Sequence, residues 1–161
     1  MAIASEICNS FKQEILVEGH NFTNGADSFK LALFSSNSAS LGKGTTVYTA
    51  PSSANAVPTN TLEVSQSQTD GGSSNTGYTA GGNALTSTTP VLSGDTACVK
   101  FADTSFTSAT FTARGCLIYN STNSNKAVCA VNFGADKTVT SGTFTVQFPA
   151  QTAGNAIVQI A

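Results

Sequence analysis

Residues 110–133 read TFTARGCLIYNSTNSNKAVCAVNF, which is two apolar runs on either side of a polar loop. Apolar runs of this length joined by a short segment rich in Asn and Ser are typical of a β-hairpin. With the loop centred near residue 122 or 123, Cys116 faces Cys129 across the two strands, to within one residue of register. Thiols placed in this way are close enough to form a disulfide after release into an oxidising medium.

Alternation of apolar and polar residues continues outside the hairpin. Residues 28–35, 97–101, 143–148 and 156–160 each show the period of two that marks a strand. The predicted core consists of inward-facing residues of these strands: Phe29, Leu31, Leu33, Val99, Phe101, Phe144, Val146 and Phe148. Strands spaced roughly 10–15 residues apart predict a mainly β chain, folded as an antiparallel β-sandwich or jelly roll. We expect a single domain over residues 1–161.

The N-terminal segment is the one place where the helical period dominates, and it predicts a short helix over residues 5–18. Three apolar residues recur every four positions and share one stripe: Ile7, Phe11 and Ile15. Ser10 followed by Gln13 fits a capping box, and Gly19 is a suitable residue to end the helix.

Residues 50–90 are rich in Ser, Thr, Gly and Pro and predict a long polar loop or arm. Short strands are expected within it near Leu62–Val64 and Ala84–Thr86. Long loops in compact domains are often functional, but a flexible arm is an equally good interpretation of this segment.

The composition is unusual in its scarcity of charge. Only 10% of the residues are charged, whereas the chain holds 20 Ser and 23 Thr. The seven basic residues are scattered and the net charge is −2, so we expect no nucleic-acid binding, which requires clustered cations. No run is long and apolar enough for a membrane span, so no membrane partner is expected.

The first residues contain neither a basic region nor a long apolar run, so we expect no signal peptide. The chain is then expected to be made in a cytosol. In a reducing compartment, cysteines are most often small buried apolar residues. That interpretation applies to all four: Cys8, Cys98, Cys116 and Cys129.

The sequence offers little catalytic chemistry. His20, the single histidine, follows the predicted helix and is expected to be a hydrated loop residue rather than a general base. Glu14 and Glu18 are expected to face solvent. The cysteines form no Cys-x-x-Cys pair and the aspartates form no Asp-x-Asp calcium loop, so no metal or cofactor is predicted. These features favour a structural or binding module over an enzyme.

Arg114 is the only arginine and lies in the predicted hairpin, just before Gly115. Two interpretations stay open for it. It is either an ordinary arginine on a strand face or a clamp for a carboxylate of another subunit, for which guanidinium geometry is well suited.

Five segments together resemble a family of small virion structural proteins of tailed bacteriophages. The segments are NSFKQEIL (9–16), KLALF (30–34), GYTAGGNAL (77–85), TARGCLIYN (112–120) and SGTFTVQFP (141–149). The resemblance covers nearly the whole chain except the insert near 50–75, and it implies a place in a phage particle.

The resemblance and the neutral surface together predict a capsid decoration (cement) protein. Such a protein would be made in the host cytoplasm, bind the major capsid protein on the virion and act as a homo-oligomer, with a trimer expected. The N-terminal segment and the 50–90 arm would reach neighbouring subunits. The alternative is a tail, collar or fibre component that contacts the host surface or other virion proteins.

Overall fold

A computed structural model of the chain confirms the mainly β fold, with 49% of the residues in strands and 7% in helices. The sheets are antiparallel and have a sandwich-like arrangement of two layers. The structure describes residues 3–35, 41–49, 63–64, 69–70, 73–74 and 76–161. Much of the predicted 50–90 arm therefore lies outside the described residues.

The larger sheet has five strands in the spatial order β1-β9-β8-β2-β5. Its members are β1 (Glu6–Ile7), β2 (Phe29–Phe34), β5 (Asn83–Leu85), β8 (Thr104–Asn120) and β9 (Lys126–Val146). The central pair β8 and β9 is the hairpin predicted from residues 110–133, and it extends well beyond that stretch.

The smaller sheet has three strands in the order β10-β7-β6, and a separate two-stranded ribbon joins β3 to β4. The smaller sheet comprises β6 (Val91–Ser93), β7 (Thr96–Val99) and β10 (Val158–Ile160), and the ribbon comprises β3 (Thr69–Asp70) and β4 (Ser73–Ser74). Within the predicted arm, Glu63 forms an isolated bridge to Phe34 at the position where a short strand was expected.

The register of the hairpin differs from the prediction. Cys116 lies opposite Val131 and Ile118 lies opposite Cys129, so the two cysteines are diagonal neighbours rather than directly opposed. Two local features cause the shift. The turn is centred on residue 123, and a bulge after Ile118 inserts one additional residue into β9.

The predicted core is confirmed for five of its eight residues and is only partly correct for the other three. Phe29, Leu31, Leu33, Val99 and Phe101 are buried. Phe144, Val146 and Phe148 alternate inward as predicted, but they are half-buried and pack against the edge of the core. Phe144 and Val146 pair with the part of β8 that β2 does not cover, and Phe148 follows the end of β9.

The helix is shorter than predicted. α1 spans Asn9–Glu14 and continues as a 3-10 turn over Ile15–Val17. Its predicted first turn is instead strand β1, because the hairpin offers an edge at Cys129 and Ala130 for residues 6–7 to pair with.

Both predicted ends of the helix also need correction. Cys8, not Ser10, is the N-cap residue, and the Ser10 hydroxyl has no hydrogen-bond partner among the described residues, so no capping box forms. At the other end Glu18 takes the left-handed conformation, with φ of 57°. Gly19 follows it and brings its N–H to within 2.8 Å of the Glu14 carbonyl oxygen.

Candidate functional site

The smaller sheet presents one apolar face. Ala97 is opposite both Ile160 and Leu92, while Val99 is opposite Val158. Directly paired residues of antiparallel strands point to the same side, so these five side chains form two adjacent apolar rows. Val99 and Val158 are buried, whereas the row that contains Leu92 and Ile160 opens to solvent.

The helical segment forms the opposite wall. Phe11 and Ile15 face Val158 and Ile160 across two adjoining cavities of about 550 Å³ and 370 Å³ that share these four residues. The cavities are open to solvent and lie side by side along the same four residues, and we call the two together the apolar groove. Phe11 is buried at its base and Ile15 is half-buried along its side.

Four unusually exposed apolar side chains lie on or beside the apolar groove, and we call them its rim. Leu16 and Ile160 line the cavities, Val17 follows Leu16 in the chain, and Leu92 shares a row with Ile160. Leu16 is 83% exposed, Val17 72%, Leu92 76% and Ile160 54%. Single exposed apolar residues are ordinary, but a group of large ones around a concave surface marks an interaction site. Val91, on the other face of β6, is also exposed.

A buried polar network fixes the position of the helical wall. His20 Nε2 lies 2.8 Å from Glu14 Oε2, and His20 Nδ1 lies 3.2 Å from the amide nitrogen of Asn120. The same amide nitrogen donates to Asp27 at 2.7 Å. The network connects the end of α1 to the last residue of β8, so it ties one wall of the groove to the central hairpin.

The geometry determines which nitrogen of His20 carries the proton. Asn120 Oδ1 accepts the backbone N–H groups of Thr122 and Asn123, both at 3.1 Å, so the Asn120 amide must present its NH₂ group to His20. His20 Nδ1 is then an acceptor, and Nε2–H donates to Glu14. His20 is therefore buried within a satisfied network, and the prediction of a hydrated loop histidine is wrong.

Glu14 is also placed differently from the prediction. It is largely buried and contacts Lys126 Nζ at 3.5 Å in addition to His20. Glu18 is exposed at the mouth of the groove, as predicted.

A second buried acid lies in the core, where Glu63 is surrounded by all three tyrosines of the chain. Its carboxylate accepts the hydroxyl of Tyr48 at 2.8 Å, the hydroxyl of Tyr78 at 2.6 Å and the N–H of Gly81 at 2.6 Å. Tyr119 stacks on Tyr48 with ring centroids 4.3 Å apart. These bonds attach the short segment at residues 63–64 to the larger sheet, and we call the assembly the Glu63 cluster.

Burial dominates the electrostatics of the Glu63 cluster. Desolvation raises the pKa of Glu63 above its ordinary value, although the three hydrogen bonds partly oppose the rise. Burial and the nearby carboxylate likewise raise the pKa of Tyr48 and Tyr78, and they raise the pKa of Tyr119 to about 12. The tyrosines therefore stay neutral donors at any ordinary pH.

Arg114 has a carboxylate partner within its own chain. Its Nη1 lies 3.3 Å from Asp136 Oδ1, and both side chains are partly exposed. The pairing agrees with the interpretation of an arginine on a strand face. A contact between Arg114 and a different subunit stays a prediction.

The four cysteines are buried and free. Burial raises the pKa of Cys116 to about 12 and that of Cys129 well above its usual value, partly because the two thiols are close. Burial also raises the pKa of Cys8 to about 11. The expectation of small buried residues is confirmed, while the directly opposed Cys116–Cys129 pair is not found.

The sequence analysis missed the residues that build the site. Leu16 and Val17 do not belong to the apolar stripe formed by Ile7, Phe11 and Ile15. Their position outside that stripe was the one signal in the sequence that they face outward. Nothing local indicates that Leu92 and Ile160 belong to the same surface, since strand pairing across β7 brings them together.

Among the described residues no cluster of His, Cys, Asp or Glu has the arrangement of a metal site. Over the same ranges, no helix has the length and hydropathy needed to cross a membrane. Comparison of the chain with protein-family models, with curated proteins and with solved structures found no match.

Proposed function

We propose that this chain is a structural protein of a phage virion, and that it acts as a capsid decoration protein which binds and stabilises the assembled shell. The observation that carries the proposal is the apolar groove with its rim of exposed Leu, Val and Ile side chains. A surface of this kind is suited to lasting contact with protein.

The rest of the surface supports the same role. With 10% charged residues and a large content of Ser and Thr, most contacts available to this protein are apolar or made by neutral hydrogen-bonding groups. Interactions between exposed charges weaken as salt rises, whereas apolar contacts do not. An assembly built from such surfaces keeps its strength in media of different ionic strength.

Stabilisation of the shell would follow from linkage. A protein that binds the assembled shell of major capsid protein, and not its free subunits, favours the assembled state by mass action. Copies joined into a homo-oligomer, of which the predicted trimer is one form, gain further from avidity, because each bound copy raises the local concentration of the others.

The number of copies per particle tests the proposal. Quantitative mass spectrometry of purified particles should give hundreds of copies for a decoration protein, in a fixed ratio to the major capsid protein. A count of about a dozen, the number expected for a symmetric ring in a tail or collar, would contradict it and favour the tail, collar or fibre alternative.

A further inference from the structure

The rim of the apolar groove combines a ridge and a cleft on one surface. Leu16 lines the smaller cavity, and both it and the next residue, Val17, are largely exposed; we call this pair the ridge. On the other side, Ile160 and Leu92 leave the outer row of the small sheet uncovered. The same patch therefore offers apolar side chains that protrude and an apolar channel that could receive them.

We propose that the occupant of the apolar groove is a second copy of this chain, related by a two-fold axis. In a two-fold interface the same patch meets itself, so each contact occurs twice. Leu16 and Val17 of each protomer would enter the groove of its partner and pack against Ile160 and Leu92. The inference rests on the proposed role of the groove as an assembly surface, and it names the partner.

The charges along the ridge favour this occupant. Lys12 borders the smaller cavity and Glu18 borders the larger one, so opposite charges stand at the two ends of the groove. Both are exposed, and neither forms an ion pair with the described part of the chain. A two-fold axis through the ridge makes the grooves of the two protomers run in opposite directions. The Lys12 end of one groove then lies towards the Glu18 end of the other.

The overall charge also permits self-association. Each copy carries a net charge of only −2, so two copies repel one another weakly. A nucleic acid or an acidic membrane surface would need a patch of one sign, whereas this rim carries one cation and one anion around an apolar centre.

The first test is the mass of the purified full-length chain in solution. Analytical ultracentrifugation should give a particle with twice the 16.4 kDa mass of one chain. Leu16→Asp should weaken self-association at least tenfold, because it places a charge in the partner's apolar channel. Val47→Asp is the matched control: Val47 is also exposed but lines neither cavity, so this variant should remain a dimer.

Charge reversal gives a second test that a folding defect cannot imitate. Lys12→Glu and Glu18→Lys should each weaken the dimer severalfold, because each places like charges opposite one another. The double variant restores opposite charges and should recover most of the affinity. Failure of the double variant to recover would overturn the two-fold arrangement.

Other outcomes also count against the inference. A wild-type chain that stays monomeric at about 100 µM overturns it, since stable interfaces have far smaller dissociation constants. The trimer predicted from the sequence is the competing arrangement and would overturn it too, because a ring requires the ridge and the cleft to lie on different faces. Neither result alters the copy number in particles, so the proposed decoration role would be judged separately.

Discussion

At the scale of single residues, Glu63 is the side chain whose environment is most demanding. A carboxylate in a core is tolerated only when its oxygens are hydrogen-bonded, and Glu63 accepts three such bonds from Tyr48, Tyr78 and Gly81. Tyr78 extends the cluster, because its hydroxyl also accepts the N–H of Leu33 at 3.0 Å. Glu63 is thus connected to Tyr48, to the segment of Tyr78 and Gly81 and, by way of Tyr78, to strand β2.

Removal of the Glu63 side chain should be costly. In Glu63→Ala the buried hydroxyls of Tyr48 and Tyr78 and the N–H of Gly81 lose their acceptor, and each unsatisfied group costs about 1–3 kcal/mol. We expect the free energy of unfolding to fall by about 3 kcal/mol, measured by urea denaturation. A loss below about 0.5 kcal/mol would show that water replaces the carboxylate at no cost.

The pH dependence of stability should identify Glu63 as well. Because the folded state raises its pKa above the ordinary 4.5, folding favours the protonated form. The contribution of Glu63 to stability is therefore fully present below pH 4.5 and is lost as pH rises through the higher folded pKa. Glu63→Gln, which cannot titrate, should flatten this part of the curve of unfolding free energy against pH. An unchanged curve would assign the dependence to other groups.

Gly82 is the second demanding position. Its φ is +69°, and a Cβ added there would overlap the carbonyl oxygen of Leu31 in strand β2. Gly82→Ala should therefore lower the free energy of unfolding by about 3 kcal/mol or more, through both backbone strain and the clash. Gly44→Ala is the matched control, because no atom of the described part of the chain lies within 4 Å of the added Cβ and its backbone needs no left-handed conformation. Equal losses in the two variants would contradict this interpretation.

At the scale of elements, the hairpin β8–β9 organises the larger sheet, and its irregularities have consequences. The pairing is interrupted between the pairs Ala113–Lys137 and Gly115–Asn132. In this interval β8 contributes one residue, Arg114, and β9 contributes four, residues 133–136. The interruption brings Asp136 to Arg114 and forms their ion pair. It also breaks the outer edge of β9, and a broken edge is a poor template for pairing with another chain.

The register of the hairpin leads to a prediction about its thiols. With the pKa of Cys116 near 12 and that of Cys129 also raised, almost no thiolate is present at pH 8. Iodoacetamide should therefore label neither residue in the native protein, and both after unfolding, as measured by mass spectrometry of the peptides that contain them. If both residues stay unlabelled after unfolding without reductant, and the mass is two hydrogens lower, they form a disulfide and the free-thiol arrangement is wrong.

At the scale of the whole molecule, the two sheets and the helix leave one boundary incompletely filled, and this boundary is the apolar groove. The buried His20–Glu14 pair holds α1 against the hairpin, while strand pairing holds β10 against β7. Both walls are therefore fixed to the sheets by hydrogen bonds, and the space between them is not closed by the described chain. Such a preformed surface binds without the cost of ordering its own residues.

The proposed decoration role predicts a change in the stability of particles. Shells stripped of this protein should expand or rupture at a lower temperature than complete particles, and addition of the purified chain should restore the original value, because ligand binding stabilises the bound state. Light scattering during heating measures this transition. Stripped shells with unchanged stability would contradict a cementing role.

The sequence by itself determined which residues point inward along each strand. Side-chain direction in a strand follows from a period of two, so residues such as Leu31, Leu33 and Phe101 could be assigned to the core from their immediate neighbours. The hairpin was also predicted from local patterns of apolar and polar residues. The helix was predicted because the N-terminal segment is the one place where apolar residues recur every four positions.

Only the tertiary structure decided the register, the ends of the helix and the site. The position of the turn and one bulge placed Cys116 opposite Val131, and the available edge of β9 converted residues 6–7 from helix to strand. His20 became buried because Glu14 and Asn120, six and one hundred residues away, supply its hydrogen bonds. The physical reason is that direction along a strand is local, whereas burial of a polar group or formation of a groove depends on partners that folding brings from distant parts of the chain.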